Sequence, residues 1–526
     1  MDSIADSPKR LRKTHTGVIF GCLFALGLIS ALVGATYEDL QSIYDMNLGD
    51  ISRVAVTRSA GILAGFVYQH VNAKIVIIFS LILGGLGTAI VPDAAPHYWL
   101  AHVGLFVTGF SVGALEVGCN VWLVQLWGDG VSPMLQSYHV SFGVGALLAP
   151  LLAAPFLGPQ NIDTANVTEL EATFSATGMD VAPQESSHIA IPYAIFGGFY
   201  SFMGLVMLFF FMIDRTVLRQ HREHPSDGAA ERSTLSFEWT VVALLVAFVV
   251  VTVTLEGIMS SMLPSFVIND PALRMSKSDA SYLLSLYWAF YTGSRMLSML
   301  ISTRLKPNTI LVLTQSIVAM GVGLLFLMVF PDVAGRWTIW LATAIIGFGI
   351  SPLYPTAFTW TVRYINLKYA HVSFALVASC TGGFLPTYVV APWVQSTTKV
   401  LPAVSLLCVV LLTCIIYVML WTTRRRRPIS ERDGLDSAVP GATYEDLQSI
   451  YHMELAEAAE IAVIIGSLLC AGCLYEHVNA KIVIIFFLIL SGLGTAIAPD
   501  VALQYFIAHA GSFATGLSVG ALEIGK

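Results

Sequence analysis

Charge is what this sequence has least of. Only 12% of its 526 residues are Asp, Glu, Lys or Arg, against 56% hydrophobic, whereas soluble domains carry about 25% charged residues. That shortage excludes a soluble globular chain and points to an integral membrane protein. The net charge of −7 says little, because orientation in a bilayer follows local Lys and Arg placement rather than the total. No nucleic-acid partner is expected. There is no Walker motif and no HExxH, so neither ATP-driven pumping nor zinc hydrolysis is supported and no enzyme is expected. Seven cysteines form no even framework, and Cys22, Cys380, Cys408 and Cys414 lie in apolar runs, so buried thiols are expected. The basic start SPKRLRKTH is followed by a run too long for a signal-peptide core, so the first span is expected to stay.

What is present in quantity is apolar sequence in membrane-length pieces. A helix crossing needs about 20 mostly apolar residues. Twelve such segments precede residue 424: 16–44, 50–70, 74–92, 97–127, 133–158, 190–213, 237–268, 278–303, 308–330, 336–362, 371–396 and 399–422. The polar stretch 214–236 divides them six and six. The expected organisation is a six-helix half over 1–213, a cytosolic loop over 214–236, a second six-helix half over 237–423, a basic segment over 424–433 and an appended fragment over 434–526. With the N-terminus inside, Lys9, Arg10, Arg12, Lys13, Lys74, Arg215, Arg219, Arg222, Arg232, Arg304, Lys306, Arg363, Lys368 and Arg424–Arg427 all fall inside, while the outer loop 159–189 has neither Lys nor Arg. That is the positive-inside pattern. The same loop carries the sequon Asn166-Val-Thr168, a candidate glycosylation site on the side that topology makes extracellular. Both ends of the twelve-span unit are expected in the cytosol, and the protein as a monomer in the bilayer.

Six plus six around a central loop resembles the major facilitator superfamily. YTGSRMLSMLISTRLKP at 291–307 is similar to that superfamily's helix 8–9 signature. The first-half equivalent keeps Gly65 and Lys74 but has Gln69 and His70 where the signature has an acid and an Arg. Within the superfamily, GATYEDL at 34–40, GALEVGCNVWLVQLWG at 113–128 and SPMLQSYHVSFGVGALLAP at 132–150 resemble the sodium-dependent glucose transporter branch, related to sugar permeases of the fucose type. The resemblance covers about residues 14–424 and is stronger in the first half. It implies an all-helical twelve-span transporter, with Na+ or H+ as coupling ion, no other cofactor, and a small solute such as a sugar as ligand.

Ionisable residues inside spans are expensive, about 2.5–3.5 kcal/mol at the centre of a helix, and usually face a cavity or a partner. Glu116 lies deep in the fourth segment with Asn120 one turn on, on the same face. A carboxylate and an amide oxygen so placed can hold Na+, or the carboxylate can carry a proton. The alternative is a neutral Glu bonded between helices. Glu38 and Asp39 close the first segment. Successive residues are about 100° apart, so at most one faces the cavity centre. The resemblance implies that one of them lines the cation path, and the residues do not choose. Gln136 and His139 share a face of the fifth segment and offer the donors and acceptors that sugar hydroxyls need; a helix–helix hydrogen bond is the alternative. Trp288, Tyr291 and Arg295 step along one face of the eighth, where an aromatic can stack on a sugar ring and Arg295 can gate. Glu256 and Trp360 are further cavity candidates. Tyr354-Pro355 marks a bend in the tenth segment, either a gating kink or packing. A lipid or other amphipathic metabolite remains an alternative substrate, and a non-transporting receptor an alternative class.

GATYEDLQSIY occurs at 34–44 and again at 441–451. Aligned without a gap, 34–118 and 441–525 share 54 of 85 residues. The copy lacks the apolar run that precedes the first. Its later segments, entered from the inside, would insert inverted, with Lys481 outside. A tandem-copy fusion or a faulty gene assembly accounts for this better than a fifteen-helix transporter.

Overall fold

A backbone without water around it must satisfy its own hydrogen bonds, and a helix does so within one segment. The protein, seen in a computed structural model, is described over residues 9–51, 73–127, 131–159, 187–213, 232–302, 304–330, 335–365, 369–424 and 426. Every regular element among these is helical. The first segment is α1 (Lys9–Tyr44), and α2 is described over its start, 48–51. Then come α3 (Ala73–Ala89), α4 (Tyr98–Trp127), α5 (Val131–Ala153) and α6 (Ala190–Ile213). The later helices are α7 (Arg232–Gly257, a π turn Ile258–Met262, then Leu263–Asn269), α8 (Lys277–Ile301) and α9 (Pro307–Phe326). They end with α10 (Arg336–Ile350 and Leu353–Tyr364), α11 (Tyr369–Leu385, a π turn Pro386–Val390, then Ala391–Val394) and α12 (Val400–Thr423). Eight described helices are long and apolar enough to cross a membrane.

Several expectations fall outside the described residues: the second segment beyond 51 with Gln69 and His70, the loop bearing Asn166, most of the 214–236 linker, and the whole copy at 441–525. One cysteine expectation is corrected. Cys22, Cys380 and Cys408 are buried, but Cys414 is exposed. In a bilayer an apolar residue need not be covered by protein, because lipid tails are as apolar as a core.

Helices before residue 214 pack mainly on one another, α1 on α5 and α3 on α4 and α6. Those after 231 do the same, α9 on α10, α11 on α7, and α12 on α7 and α9. Two seams join the groups. In one, α5 lies along α8 so closely that a Cβ on Gly143 would stand 2.2 Å from Thr292 Oγ1. In the other, the end of α1 meets the π turn of α7, where a Cβ on Gly34 would stand 2.2 Å from the Ser260 carbonyl oxygen. Proline explains that exposed oxygen. Pro264 has no N–H to return to Ser260, so the carbonyl has lost its place in the ladder.

Candidate functional site

On α8, Trp288, Tyr291 and Arg295 recur at helical spacing and are all buried. Trp288 and Tyr291 pack edge to face with ring centroids 5.1 Å apart. Arg295 donates through Nη2 to Tyr291 Oη and to the Ser351 carbonyl, each at 2.9 Å, and through Nε to Ser351 Oγ at 3.2 Å. Tyr291 in turn donates to Glu256 Oε2 on α7 at 3.4 Å. The result is a directed chain from guanidinium to phenol to carboxyl, with its two ends on different helices.

Sequence explains where Arg295 is anchored. Pro355 lacks the N–H that would close on Ser351 four residues back, and the guanidinium takes the freed carbonyl. The expected bend at Tyr354-Pro355 is therefore displaced. The helix is interrupted one turn earlier, at Ser351–Pro352, because a proline disrupts the turn before it. The same device recurs on α11: Pro386 frees the Gly382 carbonyl, which accepts from Thr254 Oγ1 at 3.3 Å.

Facing this wall are α4 and α5. His139 is exposed and Glu116 half-buried. Glu256 on α7 and Tyr354 on α10 are half-buried as well. Phe142 touches Trp288 across the gap with centroids 5.8 Å apart. Ring contacts and hydrogen bonds thus link Phe142 on α5, Glu256 on α7, Trp288, Tyr291 and Arg295 on α8 and Ser351 beside the break in α10. Trp360 does not join them: it is fully buried, packed on Tyr364 at 5.4 Å. The side chains of Asn120 and Gln136 lie outside the described set.

Glu38 and Asp39 sit at the α1–α7 seam rather than at the cavity centre. Glu38 Oε1 accepts from Asn269 Nδ2 at 3.1 Å. Asp39 is 1% exposed, and its Oδ1 accepts from the Gly158 N–H at 2.7 Å and lies 3.4 Å from Lys277 Nζ. Both acids meet donors from the second half, so the two candidates divide the seam between them. Gln41 and Gln395 exchange amide hydrogen bonds beside them, one at 2.9 Å. Sequence reading missed Asn269, Ser351 and Lys277. A signal existed for Lys277, since it stands on the side where the charge bias expects few bases.

One motif needs its setting to be judged. Gly109-Phe-Ser111-Val-Gly113 has the spelling of a hydrolase nucleophile elbow, which requires a strand-to-helix turn. Here it lies inside α4, with Ser111 buried and bonded to Tyr200 Oη at 2.8 Å, so no exposed nucleophile results.

A bundle of two packed helical groups, with eight described helices long and apolar enough to cross a membrane, is the architecture of a multi-pass membrane protein. Residues 17–386 match the profile of the Major Facilitator Superfamily, and the chain belongs to that family. It is 27% identical to sodium-dependent glucose transporter 1A of Mus musculus, over 69% of this chain and 86% of that one. It is 25% identical to major facilitator superfamily domain-containing protein 4A of Xenopus tropicalis, over 66% of this chain and 79% of that one. Among solved structures it is similar in fold to FucP in the outward conformation, with a TM-score of 0.51 and 17% identity, over 78% of this chain and 99% of that one. The chain is a transporter, not an enzyme.

Proposed function

We propose that the protein is a secondary active transporter of a hexose such as glucose, coupled to Na+ or H+ and working by alternating access. The observation that carries this reading is the chain from Arg295 through Tyr291 to Glu256, which joins α8 to α7 deep in the bundle, with a second membrane-depth acid, Glu116, half-buried on α4. Glu116 with Asn120 holds the coupling cation, and Glu38 and Asp39 line its path. Gln136, His139, Tyr291 and Glu256 supply hydrogen bonds to sugar hydroxyls, Trp288 offers an aromatic face, and Trp360 supports that wall from behind. Tyr354 and Pro355 form the gate on α10, and Arg295 fastens that gate to α8 through Ser351. The names of the glucose-transporter relatives support the substrate class, and the proton symporter FucP supports a cation as driver.

The halves 1–213 and 237–423 are the two bodies that rock. Both ends of the twelve-span unit are cytosolic, the Asp39 end is extracellular, and the plasma membrane is the location. Glycosidase should then shift the mobility of the wild type but not of Asn166→Gln; cytosolic accessibility of the 159–189 loop in intact cells would reverse the orientation.

The deciding experiment is uptake of labelled glucose by proteoliposomes under no gradient, an inward Na+ gradient, or an inward proton gradient. Concentrative uptake is expected under one of the two cation gradients. Equilibration without accumulation under either overturns the coupling, and no entry at all overturns the substrate.

A further inference from the structure

We propose that Lys277 is a tethered counter-ion that competes with the coupling cation for Asp39, so that closure of the outer end displaces the cation from that carboxylate toward the cavity. The inference rests on the cation-coupled reading above and deepens it by naming how the cation is released.

The carboxylate has two fates built into its surroundings. Gly158, which follows α5, belongs to the first half and stays with Asp39 however the halves move, while Lys277 belongs to the second half and reaches Asp39 only when this end is shut. Asp39 Oδ2 is buried and makes no hydrogen bond among the described residues. The carboxylate therefore has one oxygen shared between a fixed N–H and a removable ammonium, and a second oxygen that no described donor occupies. Glu38 is arranged alike. Its described side-chain hydrogen bond comes from Asn269 of the second half, so parting the halves strips both neighbouring acids of donors together. Two adjacent carboxylates that lose an ammonium and an amide at one stroke attract a monovalent cation, and closing returns both donors at once.

The placement of Lys277 supports the same conclusion. It occupies the first turn of α8, directly after the cap Ser276, whose Oγ accepts from the Asp279 N–H at 3.0 Å. Helix N-termini favour anions, so this lysine sits where its own helix repels it, only 8% exposed. The carboxylate of Asp39 compensates. A buried acid must keep a partner, so the outer end closes over Asp39 with a cation or with Lys277. A ligand shifts a conformational equilibrium only by its difference in affinity between the two states. With the ammonium in place, the closed state binds the cation at Asp39 more weakly than the open state.

The test uses the full-length protein in proteoliposomes with Na+ and, separately, H+ as the driving cation. Closure is read by external maleimide labelling of Ser265→Cys, a position fully buried on α7 at this end, over the background of the parent chain. In Lys277→Gln the apparent KM for the cation should fall at least about fivefold, and the introduced thiol should label without cation, where the parent is protected. Lys277→Arg, which keeps the charge, should behave as wild type and controls for folding. Exchanging the charges, Asp39→Lys with Lys277→Asp, should restore protection but not the cation effect on labelling. An unchanged cation KM in Lys277→Gln overturns the proposal, as does a charge exchange that recovers full cation dependence, since a mere latch would do both. If the wild type shows no cation dependence in either arm, the coupled reading itself has failed, and that outcome is separate.

Discussion

Arg295 and Asp39 are both buried charges, yet their partners are distributed differently. The described hydrogen bonds of Arg295 go to Tyr291 and Ser351, within the second half. Asp39 takes one donor from its own half and one from the other. A rigid-body movement of two halves spares contacts inside each and breaks those between them. The first cluster is therefore permanent and the second conditional, and a buried charge can belong to a wall or to a seam whatever its depth.

The most severe way to break this contrast is to keep the seam from forming. Gly34→Val places side-chain atoms where the Ser260 carbonyl now lies. Transport should be lost while the protein still reaches the surface, and Ser265→Cys in that background should label from outside at all times. Protection of the introduced thiol would show that the seam repacks. Next in size is Glu116→Gln, which should abolish accumulation against a gradient and leave exchange of substrate intact. Continued concentration by this variant would make Glu116 structural. Arg295→Lys sharpens the other side of the contrast. It keeps the charge but loses the fork that holds Ser351, leaving a buried carbonyl unsatisfied at a cost of about 1–3 kcal/mol. Thermal stability in detergent should drop, while the external labelling pattern stays that of the wild type. A changed labelling pattern would place Arg295 in the moving contacts. The smallest expected effect is none: deleting residues 431–526 should leave uptake per surface molecule and its cation dependence unchanged, because the copied acids follow no apolar run and the later copied segments would enter the bilayer against their own charge bias. Loss of uptake at equal surface level would make the copied segment part of the transporter.

The helices were legible because lipid imposes one solution on an apolar run, and most described boundaries follow the apolar segments within a few residues. Two begin earlier, α1 at Lys9 and α7 at Arg232, because a helix can run on into water past its apolar part. The line of Trp288, Tyr291 and Arg295 was legible for a similar reason, since helical spacing alone puts them on one face. What was not legible is pairing. Asp39 and Lys277 lie on different halves, and nothing local to either residue names the other. The choice between Glu38 and Asp39 had no answer in the sequence, because the seam engages both, through different donors. The break in α10 was placed one turn late because the eye falls on the proline, whereas the damage falls on the carbonyl four residues before it.

That break has a mechanical consequence. Across Ser351–Pro352 the backbone ladder no longer carries load from one segment of α10 to the next, and what fastens the joint to its neighbour is a side chain on α8. Two hydrogen bonds from a single guanidinium, both to Ser351, set its stiffness. The joint bends most easily along the direction that keeps Arg295 seated. A solute drawing on Tyr291 for a hydrogen bond takes hold of the same rivet, so the compliance of α10 becomes a property of whether the cavity is filled.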